Sequence, residues 1–173
     1  YKFEKGKTYR YLDLTKTDMT QEMMGKEMKI KSESNIVNRL IVDDVTENGN
    51  AVLLISADSM KVFSSTPMGD TTIVLSELIG KRTKVILSNL GKIEYREIVD
   101  SVKITGRAAG AAQRESIQFP KLSDKVVKIG DVWTATTQDT VNQMGGKIAV
   151  IGNYEYTLLG QEKKDDCNCL KIT

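Results

Sequence analysis

The 173-residue chain contains no histidine. That absence removes Ser-His-Asp and Cys-His nucleophiles, histidine acid–base catalysis and histidine metal ligation. Cysteine is nearly as scarce, with only Cys167 and Cys169. A lone C-x-C falls short of the roughly four ligands of a zinc site. On a strand the two side chains share a face, where a bridge between them is strained. An ordinary thiol pair is the first reading. A disulfide, with each other or with a cysteine beyond Thr173, is the second, and metal or redox chemistry the third. Long apolar runs are missing too, and nothing approaches the ~20 residues of a membrane-spanning helix. Charge imbalance is also slight, at +2 net, which gives no case for a nucleic-acid or anionic-membrane surface.

What remains is ordinary for a globular protein: 40% apolar and 28% charged residues, enough for one domain, or two halves sharing a core. The chain starts at Tyr1 rather than Met, and reads as a processed or trimmed product with any leader or lipid-anchor segment out of view. Leu170-Lys171-Ile172-Thr173 reads as the start of a strand, so the C-terminus reads as truncated.

One strand-opening phrase occurs twice. Glu4-Lys5-Gly6-Lys7-Thr8-Tyr9 has its counterpart in Lys128-Ile129-Gly130-Asp131-Val132-Trp133. Each copy later reaches a Met-Gly turn, Met23-Met24-Gly25-Lys26 and Met144-Gly145-Gly146-Lys147. The pattern predicts two related three-stranded modules, 1–63 and 124–173, in one domain. In the first, strands are expected over Lys7–Met19, Glu27–Val45 and Ala51–Phe63, the last two joined by a tight Asn48-Gly49 hairpin turn. In the second, strands are expected over Asp131–Val141 and Lys147–Leu159, then a charged turn over Gly160–Asp166 and a last strand near Cys169.

Between the modules, 64–123 reads as a helix–hairpin–helix insert. Ser64–Thr71 is expected as loop. Val74, Leu75, Leu78 and Ile79 have the spacing of a short amphipathic helix ending at Gly80. Lys84–Ser88 and Lys92–Tyr95 flank a turn at Asn89-Leu90-Gly91, and Ala108–Glu115 favours helix by propensity. The fold expected is mainly β: a curved antiparallel sheet or incomplete barrel with one or two short helices over its open side.

Taken together, four phrases resemble a known family. They are Lys5-Gly6-Lys7-Thr8-Tyr9-Arg10-Tyr11, the Met-rich Met19-Thr20-Gln21-Glu22-Met23-Met24-Gly25, Leu78-Ile79-Gly80-Lys81 leading into Leu87-Ser88-Asn89-Leu90-Gly91-Lys92, and Phe119-Pro120 leading into Val127-Lys128-Ile129-Gly130-Asp131-Val132-Trp133. Their order resembles an uncharacterised family of exported or lipid-anchored bacterial proteins, a domain of unknown function. The resemblance covers nearly the whole chain and implies a cell-envelope location and a duplicated β-rich fold. That family is usually longer than this chain, and 106–118 is short for it. The resemblance supplies no catalytic residues.

Candidate sites come from residue chemistry. Met19, Met23, Met24 and Met28, with Met144 in the matching turn, have the flexible, polarizable side chains of an adaptable apolar ligand mouth; gap-filling packing is the plainer reading. Tyr9, Tyr11 and Trp133 offer stacking faces, though aromatics that open strands usually pack in the core. Asp44, Glu47, Asn48 and Asn50 resemble calcium ligands, but turns favour these residues anyway. Glu94, Glu97 and Asp131 are unpaired by any spacing that a glycosidase needs. No cofactor is expected. The leading expectation is a non-enzymatic envelope protein that holds a lipid or other hydrophobic ligand in a half-barrel cavity. The alternative is an interaction module that binds another envelope protein or a glycan through a sheet edge or face.

Overall fold

The computed structural model describes residues 1–23, 26–67, 69–101, 119–143, 146–164 and 167–173. They form two compact units, Tyr1–Phe119 and Pro120–Thr173. The helix expected over Ala108–Glu115 lies outside the described residues.

The first unit is a six-stranded antiparallel sheet. Its strands are β1 (Thr8–Met23), β2 (Lys26–Val45), β3 (Ala51–Thr66), β4 (Gly69–Val74), β5 (Arg82–Leu87) and β6 (Ile93–Ile98). The order is β1-β2-β3-β5-β6, with β4 also on β3. β3 pairs with β2 along one edge. Its other edge is shared: β5 takes Ala51–Ser56 and β4 takes Lys61–Thr66. β4 and β5 run in the same direction, so together they make one long strand interrupted in the middle.

The interruption lies where a helix was expected. A single 3-10 turn, Ser76–Leu78, replaces it. Ile73 is half-buried, Val74 is 54% exposed and Leu75 is buried at 2%. That alternation has the period of a strand, not of a helix. Pairing with β3 settles the choice, because Ile73 stands opposite Val62 and Val74 opposite Lys61. The expected loop over Ser64–Thr71 shrinks to a hairpin turn between Thr66 and Gly69, whose φ of +118° suits glycine.

One face of the sheet holds the core. Leu40, Val42, Ala51, Leu53, Ile55, Val85 and Leu87 form its main cluster, with Phe3, Tyr9, Val45, Ile93 and Phe119 packed against it. A second cluster joins Ile36, Ala57, Met60, Val62 and Leu75. Strict alternation builds these clusters on β2 and β3, with two slips. The pairing skips Asp43, which turns Val45 inward, and skips Asp58 between Ala57 and Ser59. Such one-residue bulges reset which side chains face in.

Two connections have the same design. In 46–50, Gly49 N–H donates to the Thr46 carbonyl (2.8 Å) and Asn50 N–H to the Thr46 hydroxyl (3.1 Å). In 88–92, Gly91 N–H donates to the Ser88 carbonyl (3.0 Å) and Lys92 N–H to the Ser88 hydroxyl (2.9 Å). Both glycines take positive φ, +78° and +87°. The Asn-Gly connection is therefore a longer hairpin loop, because strand pairing stops at Val45 and resumes at Ala51.

The second unit is a three-stranded antiparallel sheet of β7 (Val132–Gln143), β8 (Gly146–Lys164) and β9 (Cys167–Ile172). β8 continues through the stretch expected as a charged turn, with Leu159 skipped in the pairing to β9. Leu158 is buried, and Trp133 and Tyr156 stand opposite each other with ring centres 5.6 Å apart. Trp133 Nε1–H donates to the Lys121 carbonyl at 2.7 Å.

The repeated phrase does fold alike in its two copies. Gly6 N–H donates to the Val42 carbonyl and Lys7 N–H to that of Glu4; Gly130 N–H donates to the Leu158 carbonyl and Asp131 N–H to that of Lys128. Both glycines have positive φ. What the copies share is this turn. The expected pair of three-stranded modules is not borne out, since one phrase opens a six-stranded sheet and the other a three-stranded one. The expected short helices are likewise absent among the described residues, and neither sheet closes into a barrel.

Candidate functional site

The residues that sequence reasoning selected fall into different places. Met19 stands opposite Ile30, and Gln21 opposite Met28, near the far end of the β1–β2 hairpin. Met19 is 37% exposed and Met28 half-buried. Met24 and Met144 lie outside the described residues, and only the backbone of Met23 is described. Tyr9 packs edge-on against Phe3, and Tyr11 lies tilted against Phe119. Burial, with the nearby Asp13 carboxylate, pushes the Tyr11 phenol up. Trp133 belongs to the aromatic ladder of the second unit with Tyr154 and Tyr156.

The acidic candidates have local partners. Asp44 pairs with Lys5 at 2.9 Å, which holds its carboxyl below the usual range. Glu94 pairs with Lys92 at 3.0 Å, and Glu97 accepts from the Tyr95 hydroxyl at 3.2 Å. Among the described residues, no group of three or more His, Cys, Asp or Glu side chains is arranged to hold a metal ion.

The most unusual chemistry lies on the open face of the six-stranded sheet, opposite the core. Register sets Arg10 of β1 against Arg39 of β2, Arg39 against Ser56 of β3, and Ser56 against Arg82 of β5. Three arginines thus stand in one row across four strands. Like charges directly opposite each other destabilise a sheet. The bulge residue Asp58 offsets this, because it reaches the same face beside the row. Its Oδ1 lies 2.6 Å from Arg39 Nη2, and its Oδ2 lies 3.3 Å from Arg10 Nε. Oδ2 is buried, and no described donor meets it with good hydrogen-bond geometry, so the Arg10 contact is an ion pair alone. Arg82 is held from outside the row. Its Nε and Nη2 donate to the two Asp100 oxygens at 2.8 and 3.1 Å. This two-pronged bond pulls the Asp100 carboxyl down to about 2 and raises Arg82.

The break between β4 and β5 opens a cleft beside this row. Its volume is about 530 Å³, and its wall includes Ile41, Leu54, Ala57 and Ile79 besides the three arginines and Asp58. Gly80, φ +74°, donates its N–H to the Ala57 carbonyl at 2.9 Å and fixes the floor. The cleft is therefore cationic along one side and apolar along the other. Guanidinium forks suit carboxylate and phosphate oxygens, and the apolar wall suits a short hydrocarbon body.

Sequence reasoning passed over all four charged residues, which are scattered singly along the chain. One signal was available. The apolar alternation of β3 changes phase between Ala57 and Met60, and that slip marks a bulge at Asp58.

Comparison of the chain with family models, curated proteins and solved structures finds no match. Among the described residues, no helix is long and apolar enough to cross a membrane.

Proposed function

We propose that the chain is a non-enzymatic binding module of a bacterial cell envelope, and that it binds through the open face of its six-stranded sheet. The observation that carries this is the Arg10–Arg39–Ser56–Arg82 row beside a cleft of about 530 Å³. A cleft of that size is in the range of small-molecule sites. It rests on strands whose other face is the buried core, which gives a rigid platform. The one carboxylate in its wall, Asp58, is engaged by two guanidinium groups, and the chain has no histidine to act as a base. Binding and orientation are what this set of groups does well. The envelope location is supported by the family resemblance of the sequence. The mixed lining favours a small amphiphilic ligand over a protein or glycan.

Native mass spectrometry of protein purified gently from a bacterial envelope tests this. The expected result is a stoichiometric small species, released on denaturation and lost from the Arg10→Gln/Arg39→Gln double variant. Retention there, with loss from Met19→Gln/Met28→Gln, moves the site to the β1–β2 hairpin end. A bound protein or glycan in place of a small species overturns the small-ligand reading in favour of an interaction module.

A further inference from the structure

We propose that the arginine row takes the acid group, carboxylate or phosphate, of a small amphiphile, and that Asp58 holds the place of that acid until it binds. This rests on the open face being the binding surface. The charges come first. Three guanidinium groups face the carboxylates of Asp58 and Asp100, so the cluster keeps one positive charge in excess. Arg82 is committed to Asp100 through Nε and Nη2, which leaves Nη1 outside that pair.

The two contacts of Asp58 are unequal. Arg39 binds it at 2.6 Å, whereas Arg10 stands at 3.3 Å without hydrogen-bond geometry and has a side chain 72% exposed. An exposed guanidinium in a loose ion pair gains little from it. A ligand acid that meets both prongs of Arg10 gains a charge-assisted pair of hydrogen bonds in exchange. Asp58 then keeps Arg39, so no carboxylate is left without a partner.

The apolar half of the ligand has a defined place. Ile41 and Leu54 are cross-strand partners on the same face, one step along the strands from Arg39 and Ser56. Ile79 adds to this wall from the 3-10 crossover. An acid head on the arginines therefore directs a short chain along Ile41, Leu54 and Ile79.

The test is an NMR titration of the whole chain with octanoate, octyl phosphate and octanol. The acids should shift the amides of Arg10, Arg39, Ser56, Ala57 and Arg82 and saturate, while octanol should not. The tighter acid identifies carboxylate or phosphate as the head group. Arg10→Gln/Arg39→Gln should weaken the acid by about tenfold or more, and Asp58→Asn should tighten it about threefold by freeing Arg10 and Arg39. Salt should weaken every acid complex. Asp58→Asn keeps the test decisive if the double variant fails to fold. Unchanged or weaker binding in Asp58→Asn overturns the place-holding role. Octanol binding as tightly as octanoate at these amides overturns the acid-ligand class while the open face stands as the surface. No shift at these amides from any probe at about 10 mM overturns both.

Discussion

The two units stabilise their sheets by different means. Twelve buried apolar side chains lie in the first unit, against one, Leu158, in the second, among the described residues. The first therefore draws on the hydrophobic effect along the inner face of β2, β3 and β5. The second relies more on side-chain pairs: Trp133 with Tyr156 and the Thr136 hydroxyl with Asn153 across β7 and β8, and Tyr156 stacked on Tyr154 along β8. Tyr154 also covers Gly152, where an added Cβ would come within 2.7 Å of its ring. Strands that bury one face can carry costly chemistry on the other. The arginine row lies on the outer face of such strands, β2, β3 and β5, and of the more exposed β1.

The sharpest way to break this comparison is Leu53→Ala. Leu53 is fully buried at the centre of the main cluster. Its truncation should cost about 2–5 kcal/mol, read as lost amide-exchange protection in β2, β3 and β5. The single tryptophan, Trp133, reports on the second unit. Its fluorescence transition should hold still in Leu53→Ala; an equal shift would show that the units unfold together.

Leu158→Ala should have the next largest effect, about 2–3 kcal/mol, and should move the Trp133 transition. No change there would mean that the aromatic ladder alone holds the second sheet. Trp133→Phe keeps ring packing but loses the bond to the Lys121 carbonyl. It should cost about 1 kcal/mol, read by circular-dichroism melting.

The smallest effect concerns Asp100. Its folded carboxyl is pulled to about 2, below its ordinary 3.8, chiefly because the Arg82 side chain donates two bonds to it and, next, because the Arg82 backbone N–H donates a third. A depressed acid stabilises the fold above its unfolded value and loses that contribution as pH falls toward the folded one. Asp100→Asn should therefore be slightly less stable than the parent at pH 5, and the gap in urea midpoint should close between about pH 4 and pH 2. A gap that persists at pH 2 would show that the charge pair is not its source.

Much of the local structure was legible. Gly49 and Gly91 each mark a hairpin connection, because a positive φ is a local demand that glycine meets best. Threonine, valine and isoleucine mark the strands. Val74, Leu75, Leu78 and Ile79 misled because four apolar residues fit a helix or a strand followed by a turn. Only their neighbours on β3 decided between the two. The Met and Tyr candidates were chosen by residue type, which says nothing about register. The arginine cluster escaped for the complementary reason, since arginine on a strand is unremarkable until its cross-strand partners are known.

By itself, the sequence determined the β-rich character, the main hairpin turns, the two alike strand-opening turns and the exclusion of histidine chemistry. These depend on short-range preferences of backbone and side chain. Only the tertiary structure decided that β4 and β5 share one edge of β3, that Asp58 bulges, and that three distant arginines stand in a row. Register is chosen by burying the inner face as a whole. The neighbours on the outer face are fixed by that choice, whatever their charge.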